Sequence, residues 1–192
     1  MNRTADKLFI TFKLDYATSP DGFVDFWKEQ YEYPNMHWYT ENINVPELCY
    51  RNLYDLFCWK NGMNLNAKKQ VTFHKISAHL ETINQLRQRF DEDIFTDHFG
   101  WLTPIWKIFL RHVIQPIEAP IFDQHVYRAY RYIHRQEKEE KTAMAIEGMY
   151  FREYVPFFWT LCDECNRHSA KEIDAALWAF GKFISQYPKL IL

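Results

Sequence analysis

The chain has 192 residues, 47% hydrophobic and 18% aromatic, which is enough for a packed core in one domain or in two compact lobes. Only five glycines occur, too few for the tight turns of a β-sandwich or a Rossmann fold, and no glycine-rich phosphate loop is present. The formal net charge of -2 disfavours nucleic-acid binding driven by overall charge, and the four scattered cysteines do not form a disulfide framework.

The first residues carry charges where a secretory signal would have its apolar segment. No stretch of the chain approaches the ~20 apolar residues that a membrane span requires. We therefore expect a cytoplasmic protein that does not enter a membrane. Residues 8–12 are the only stretch whose pattern allows a strand.

From Ser19 onward the spacing of apolar residues predicts helices, and we expect an all-α fold. Ser19 and Pro20 supply an N-cap and a first-turn proline for a helix that ends before Pro34. A second helix is predicted to begin at residues 46–47 and to end at Gly62. A third is predicted to run without interruption over residues 67–90.

After a polar break at residues 91–93, the pattern predicts a short turn or helix and then a helix over 101–114. Residues 137–141 form a charge run that fits either an exposed end or a solvated continuation. A helix through residues 144–150 should stop or kink before Pro156, and the last helix opens with a capping box at residues 169–172. These elements fit a single domain, 1–192, either undivided or formed of two lobes, about 1–92 and 93–192, around a shared cleft.

The segment 120–128, Pro-Ile-Phe-Asp-Gln-His-Val-Tyr-Arg, is the most informative part of the sequence. Asp123 lies three residues after a proline, where apolar residues begin to recur at helical spacing. The sequence therefore predicts that Asp123 is the N-cap of a helix. A carboxylate there faces the positive end of the helix dipole. Asp123 is therefore either a helix cap with a purely structural role or a catalytic group.

Basic residues concentrate in two stretches of the chain. Residues 67–90 contain five lysines or arginines and one acid, net +4, and residues 101–135 contain five and two, net +3. The two stretches could line one surface that binds nucleic acid, and solvated helix faces would explain them equally well.

Lys107 lies at the start of a helical stretch that precedes this segment. The order of Lys107, Pro120, Asp123, His125 and Arg128 resembles that in the helix-hairpin-helix superfamily of DNA base-excision glycosylases. The resemblance covers about the central third of the chain. It implies an all-α fold with two helical lobes around a cleft, and a partner that is double-stranded DNA carrying a damaged or modified base.

The resemblance also implies roles for individual residues. Asp123 would stabilise the oxocarbenium-like sugar while the N-glycosidic bond of an extruded base breaks. Lys107 would correspond to the lysine that forms a Schiff base in the members with lyase activity. The expected base-pocket residues are Trp101, Trp106 and Phe122, and the expected DNA-binding residues are Arg111, His125, Arg128 and Arg131.

No cofactor or metal is expected. The pair Cys162 and Cys165 lacks the partners that a four-cysteine iron-sulfur cluster or a zinc site needs. The stretch that corresponds to the family's hairpin, residues 102–106, contains no glycine, unlike the usual pattern. Two alternatives therefore stay open. One is a non-catalytic helical module that keeps the fold and binds DNA or protein, and the other is a helical scaffold in which the motif is a coincidence.

Overall fold

The computed structural model describes residues 19–135 and 143–187, and in these ranges every regular element is a helix. The strand pattern at 8–12 and the charge run at 137–141 lie outside the described residues. The helices are α1 (Pro20–Lys28), α2 (Met36–Thr40), α3 (Tyr50–Asn61), α4 (Ala67–Ser77), α5 (Leu80–Gln88), α6 (Glu92–Phe99), α7 (Pro104–Ile114), α8 (Gln124–Ile133), α9 (Ala143–Met149), a π-helical turn (Tyr150–Tyr154), α10 (Val155–Glu164) and α11 (Ala170–Gln186). The all-α prediction is confirmed for this part of the chain.

The predicted helix ends are confirmed where a specific capping residue marks them. The Ser19 side chain accepts a hydrogen bond from the backbone N of Gly22 at 3.1 Å, and Pro20 opens α1. Ser169 and Glu172 form the predicted capping box of α11. Gly62 ends α3 with a φ of 74°, a left-handed conformation that glycine adopts without strain.

Other helix bounds differ from the predictions. The stretch 67–90 is two helices, because the chain leaves helical geometry at His79 (φ -105°, ψ 29°) and α5 begins at Leu80. No proline or glycine marks this break, and the apolar residues keep their helical spacing across it. The sequence pattern therefore does not reveal it. α3 begins at Tyr50 rather than at residue 46, and α7 begins at Pro104 rather than at residue 101. The five-residue α2 was not predicted.

The irregularity predicted before Pro156 is a π-helical turn. α9 and α10 join through the π-helical turn that ends two residues before this proline. Proline has no N–H to donate, and a widened turn accommodates the missing hydrogen bond. Tyr150 and Tyr154, both in the turn, are fully buried. The Tyr150 hydroxyl donates to the backbone O of Pro120 at 2.9 Å, which ties the turn to the segment before α8.

Two hydrophobic cores organise the described residues. One is formed by residues 43–114, chiefly from α3 to α7, and the other joins α1 to α8, the π-helical turn, α10 and α11. α7 serves both cores, because Phe109 faces the first and Ile108 the second. This division does not coincide with the boundary expected near residue 92, since α1 packs with the later helices, α6 packs with the earlier ones and α7 contacts both.

Across the described ranges, no helix combines the length and the apolar character needed to cross a membrane. The longest is α11, with 17 residues.

Candidate active-site cleft

Asp123 is the N-cap of α8, as predicted. Its Oδ1 accepts hydrogen bonds from the backbone N of His125 at 2.7 Å and of Val126 at 3.1 Å. Its Oδ2 accepts a third from Nε1 of Trp178 on α11, at 3.1 Å. The side chain is still 21% exposed, so the carboxylate is held in place without being sealed off.

A glycine on α11 allows α8 to approach closely. A Cβ atom added at Gly181 would lie 1.9 Å from the backbone O of His125, so no other residue fits without moving one of the helices. The backbone O of Gly181 also accepts a hydrogen bond from Arg128 at 3.0 Å. Gly181 therefore sets the position of the first turn of α8, and with it the position of Asp123.

Asp123 faces a cleft of about 520 Å³ that lies where the two cores meet. Aromatic rings form much of its wall, and the predicted pocket residues Trp106 and Phe122 are among them. His125 also lines the cleft, with its ring 4.9 Å from that of Trp178. The other lining residues are Tyr33, Lys60, Asn61, Lys69, Ile105, Gln124, Tyr127, Ile146, Met149 and Trp178.

Lys60, which the sequence analysis did not single out, is the amine closest to this carboxylate in the cleft. Its Nζ donates to the backbone O of Phe122 at 2.9 Å and lies 3.9 Å from Oδ2 of Asp123. The side chain is only 8% exposed. Burial lowers the pKa of Lys60, and Asp123 and Asp174 oppose that effect.

One feature of the sequence indicates that the Lys60 side chain is buried. Residues 56–59 in α3 are four consecutive apolar residues, all buried, so this end of the helix has no solvent-facing side. The side chain of a lysine in the last turn of such a helix must extend into the protein interior or lie along its edge. Its contact with Phe122, 62 residues away, could not be read from the sequence.

Asp174 on α11 also interacts electrostatically with Lys60. Its pKa is raised to about 7, first by burial and then by the charge of Asp123, with Lys60 opposing both. Its Oδ1 is buried and has no hydrogen-bond partner among the described residues. The hydroxyl of Tyr154 is also buried and has no hydrogen-bond partner among the described residues. Asp174 therefore keeps its proton up to a higher pH than an exposed aspartate does.

Five predicted site residues do not line the cleft, and Lys107, Arg111 and Trp101 are three of them. Lys107 points to Glu147 of α9, with Nζ 2.7 Å from Oε2. Arg111 forms an ion pair with Glu92 at 2.7 Å and lies over the rings of Phe90 and Phe151. Trp101 is 48% exposed in the turn before α7.

The arginines of α8 take part in packing. Arg128 donates to Gly181 and lies 3.2 Å from Nδ1 of His125. The guanidinium of Arg131 is buried and lies 5.6 Å from the centre of the Tyr127 ring. Burial lowers the pKa of His125, with Asp123 opposing and Arg128 adding to the effect. His125 is thus the member of this group that reaches the cleft.

The paired cysteines are not poised for metal or redox chemistry. Burial raises the pKa of Cys162 to about 11 and also raises the pKa of Cys165, so both favour the protonated thiol. Within residues 19–135 and 143–187, no three His, Cys, Asp or Glu side chains are grouped as metal ligands.

No protein-family model matches the chain, and neither a curated protein nor a solved structure matches it. The cleft is therefore interpreted from its own geometry.

Proposed function

We propose that the protein is a DNA glycosylase that extrudes a damaged or modified base into the cleft and cleaves its N-glycosidic bond. One observation carries the proposal: the carboxylate of Asp123 opens into a cleft walled by aromatic rings. Such a wall can hold a flipped base by stacking, and the volume is in the usual range for small-ligand pockets.

The hydrogen bonds of Asp123 suit a charge-stabilising role. Two backbone amides and the Trp178 indole hold the carboxylate in one orientation. A fixed anion stabilises the positive charge that develops on the sugar as the base departs, without having to reorganise first. Departure of the base then leaves a cationic sugar for water to attack.

Two lysines are placed to contact the DNA backbone at the rim of the cleft. Lys69 of α4 lines the cleft and donates a hydrogen bond to Asn61. Lys182 of α11 lies 5.0 Å from the centre of the Trp178 ring. They approach the cleft from different cores, so a duplex seated across its mouth could present phosphates to both.

The non-catalytic alternative also has an observation in its favour. Both oxygens of Asp123 already have partners, because Oδ1 caps α8 and Oδ2 accepts from Trp178. A structural role alone would explain these contacts. The turn before α7 offers no glycine amides between residues 102 and 106 for a phosphate. A module that retains the cleft and binds DNA without cleaving it would fit these two facts.

Mass spectrometry of released bases separates the two functions. DNA carrying oxidised, deaminated and alkylated bases is incubated with the protein, and the free bases are measured. The glycosylase proposal expects at least one modified base to be released, and Asp123→Asn to slow that release about 100-fold or more. Asparagine caps a helix about as well as aspartate, so the variant should stay folded.

The matched control is Asp163→Asn, which changes an exposed aspartate of α10 in the same way. Its release rate should equal that of the unmodified protein. DNA binding with no free base from any damaged substrate would favour the non-catalytic module.

A further inference from the structure

We infer that Tyr150 and His112 are positioning residues for Asp123. They act by holding the α7–α8 segment, residues 115–123, whose last residue is Asp123. The inference rests on the proposed function, because the position of Asp123 determines how well its carboxylate stabilises a charged sugar. It goes beyond that function, since neither side chain lines the cleft.

The α7–α8 segment contains no helix or strand, so its shape depends on the partners of its backbone groups. Three of the four backbone carbonyls that precede Asp123 accept a hydrogen bond from a side chain outside the segment. The pairs are His112 with Ala119 at 2.7 Å, Tyr150 with Pro120 at 2.9 Å and Lys60 with Phe122 at 2.9 Å. The donors come from α7, the π-helical turn and α3, so three separate elements hold the chain as it enters α8.

His112 holds the first of these carbonyls, and its two partners define its tautomer. A carbonyl oxygen can only accept, so Nδ1 carries the proton that it shares with Ala119. Nε2 lies 2.7 Å from the hydroxyl of Tyr39 and accepts from it. The side chain is buried, and burial lowers the pKa of His112 to about 4. A neutral imidazole therefore joins the α7–α8 segment to α2.

Tyr150 holds the next carbonyl from inside the second core. Its side chain is fully buried, and the backbone O of Pro120 that accepts from it is buried as well. A buried carbonyl that lost this donor would have no water to replace it. The segment would have to shift to recover a hydrogen bond, and Asp123, three residues further along, would shift with it.

The π-helical turn contacts the segment through a second tyrosine. The rings of Tyr150 and Tyr154 lie 5.5 Å and 5.0 Å from that of Phe122, both edge-on. Both tyrosines are fully buried, but the Tyr154 hydroxyl has no hydrogen-bond partner among the described residues. The two residues thus make the same ring contact with the segment, and only Tyr150 bonds its backbone.

These hydrogen bonds complement those that Asp123 makes itself. The amides of His125 and Val126 orient the carboxylate relative to α8, and Gly181 fixes α8 against α11. The bonds to the α7–α8 segment fix the chain on the other side of Asp123. A displacement of about 1 Å in a reacting group can cost roughly 100-fold in rate, so both sides matter for charge stabilisation.

Two synthetic duplexes that differ at one sugar test the inference. One carries a cationic pyrrolidine and the other a neutral tetrahydrofuran, and the ratio of the two affinities measures stabilisation of the charge. Tyr150→Phe removes only the hydroxyl and should lower this ratio by about 10-fold or more. Any unfolded fraction lowers both apparent affinities alike, so a loss of stability alone does not change the ratio.

Tyr154→Phe is the matched control, because it removes a buried hydroxyl from the same turn without removing a hydrogen bond to the segment. Its ratio should equal that of the unmodified protein. An unchanged ratio in Tyr150→Phe, or an equal fall in both variants, would overturn the inference.

A second pair of variants decides the question if Tyr150→Phe does not fold. His112→Asn keeps an N–H donor near the position of Nδ1, whereas His112→Leu removes it. The ratio should fall in His112→Leu and be largely retained in His112→Asn. Equal ratios in these two variants would show that the bond to Ala119 does not position Asp123.

The two proposals fail in different ways. Equal affinity of the unmodified protein for the two duplexes would remove the charge-stabilising role of Asp123, and the positioning role with it. A preference for the cationic duplex that persists in Tyr150→Phe would overturn the positioning role and leave the glycosylase proposal intact.

Discussion

Asp123 and Asp174 both interact electrostatically with Lys60 but have contrasting environments. Asp123 accepts three hydrogen bonds, which hold its carboxylate in one orientation. Asp174 has a buried oxygen without a partner among the described residues, and burial raises its pKa to about 7. The contrast has a consequence for stability.

The raised pKa of Asp174 makes a pH-dependent contribution that opposes folding. Below about pH 4 the carboxyl is protonated in both the folded and unfolded states and contributes nothing. Between about pH 4 and 7 the unfolded chain loses this proton while the folded protein keeps it. The contribution of Asp174 to stability therefore falls as pH rises through this window and is constant above it.

Replacing Asp174 with asparagine should remove that penalty. We expect Asp174→Asn to be more stable than the unmodified protein by roughly 1–2 kcal/mol at pH 8, with a smaller difference at pH 5. Urea unfolding of both proteins at the two pH values measures the difference, and comparison at each pH cancels the titration of groups that do not interact with Asp174. A difference that is larger at pH 5 would contradict the assigned protonation state.

The contact between α8 and α11 is the element that positions the site. α8 presents Asp123 to the cleft, while α11 contributes Trp178, whose indole bonds the carboxylate. Gly181 lies one turn beyond Trp178, where the helices touch through backbone. The geometry of the site thus depends on a residue that contacts no substrate.

Gly181→Ala should separate these helices. The added methyl would meet the backbone of His125, which cannot move without shifting the first turn of α8. We expect the free energy of unfolding to fall by about 2–3 kcal/mol, as for overpacked cores, and base release to slow. Urea unfolding and the mass-spectrometric release assay measure the two effects.

Gly148→Ala is the matched control for this substitution. Gly148 lies in α9, and its added methyl would meet only the end of the Arg152 side chain, at 3.3 Å. Alanine favours a helix over glycine by up to ~1 kcal/mol, so stability should be unchanged or higher. Equal losses at both positions would show that the close contact of α8 and α11 is not what limits stability.

The sequence predicted elements well where a short-range signal marks them. Ser19, Asp123 and Ser169 each act within three residues, and all three cap the helices they were expected to cap. The break at His79 has no such signal, because its neighbours continue the apolar period. The contact at Gly181 depends on a residue 56 positions earlier in the chain, so no local pattern reveals it.

The same limit applies to the cleft as a whole. Asp123, Trp106 and Phe122 were identified from the sequence and do line one cleft. Lys60, Trp178 and Asp174 were missed, since each reaches the site through the packing of the two cores. The sequence pattern does not distinguish arginines on a DNA-binding surface from arginines engaged within the fold, such as Arg128, which donates to the Gly181 carbonyl, and Arg111, which pairs with Glu92.

On the scale of the whole molecule, the rim lysines should determine how binding depends on salt. We expect Lys69→Ala with Lys182→Ala to weaken binding to duplex DNA and to reduce the slope of log affinity against log salt by about 2, one for each lost phosphate contact. Fluorescence anisotropy at several salt concentrations measures this slope.

Lys171 and Lys75 provide the control for that double variant. They lie on the same helices as Lys182 and Lys69, but Lys75 lies over the ring of Trp101, outside the cleft, and Lys171 is not among the lining residues. Lys69 lines the cleft, and Lys182 lies over the lining residue Trp178. Replacing both with alanine should leave the slope unchanged. A slope that falls equally in the two double variants would indicate diffuse binding rather than a duplex seated across the cleft.

The most direct test of the central claim is the affinity for a duplex carrying a cationic pyrrolidine in place of one deoxyribose, which mimics the charged sugar and requires no knowledge of the base. The reference is the same duplex with a neutral tetrahydrofuran. We predict that the protein binds the cationic duplex at least about 100-fold more tightly, and that Asp123→Asn removes most of this preference. Equal affinity of the unmodified protein for the two duplexes would contradict a charge-stabilising role for Asp123.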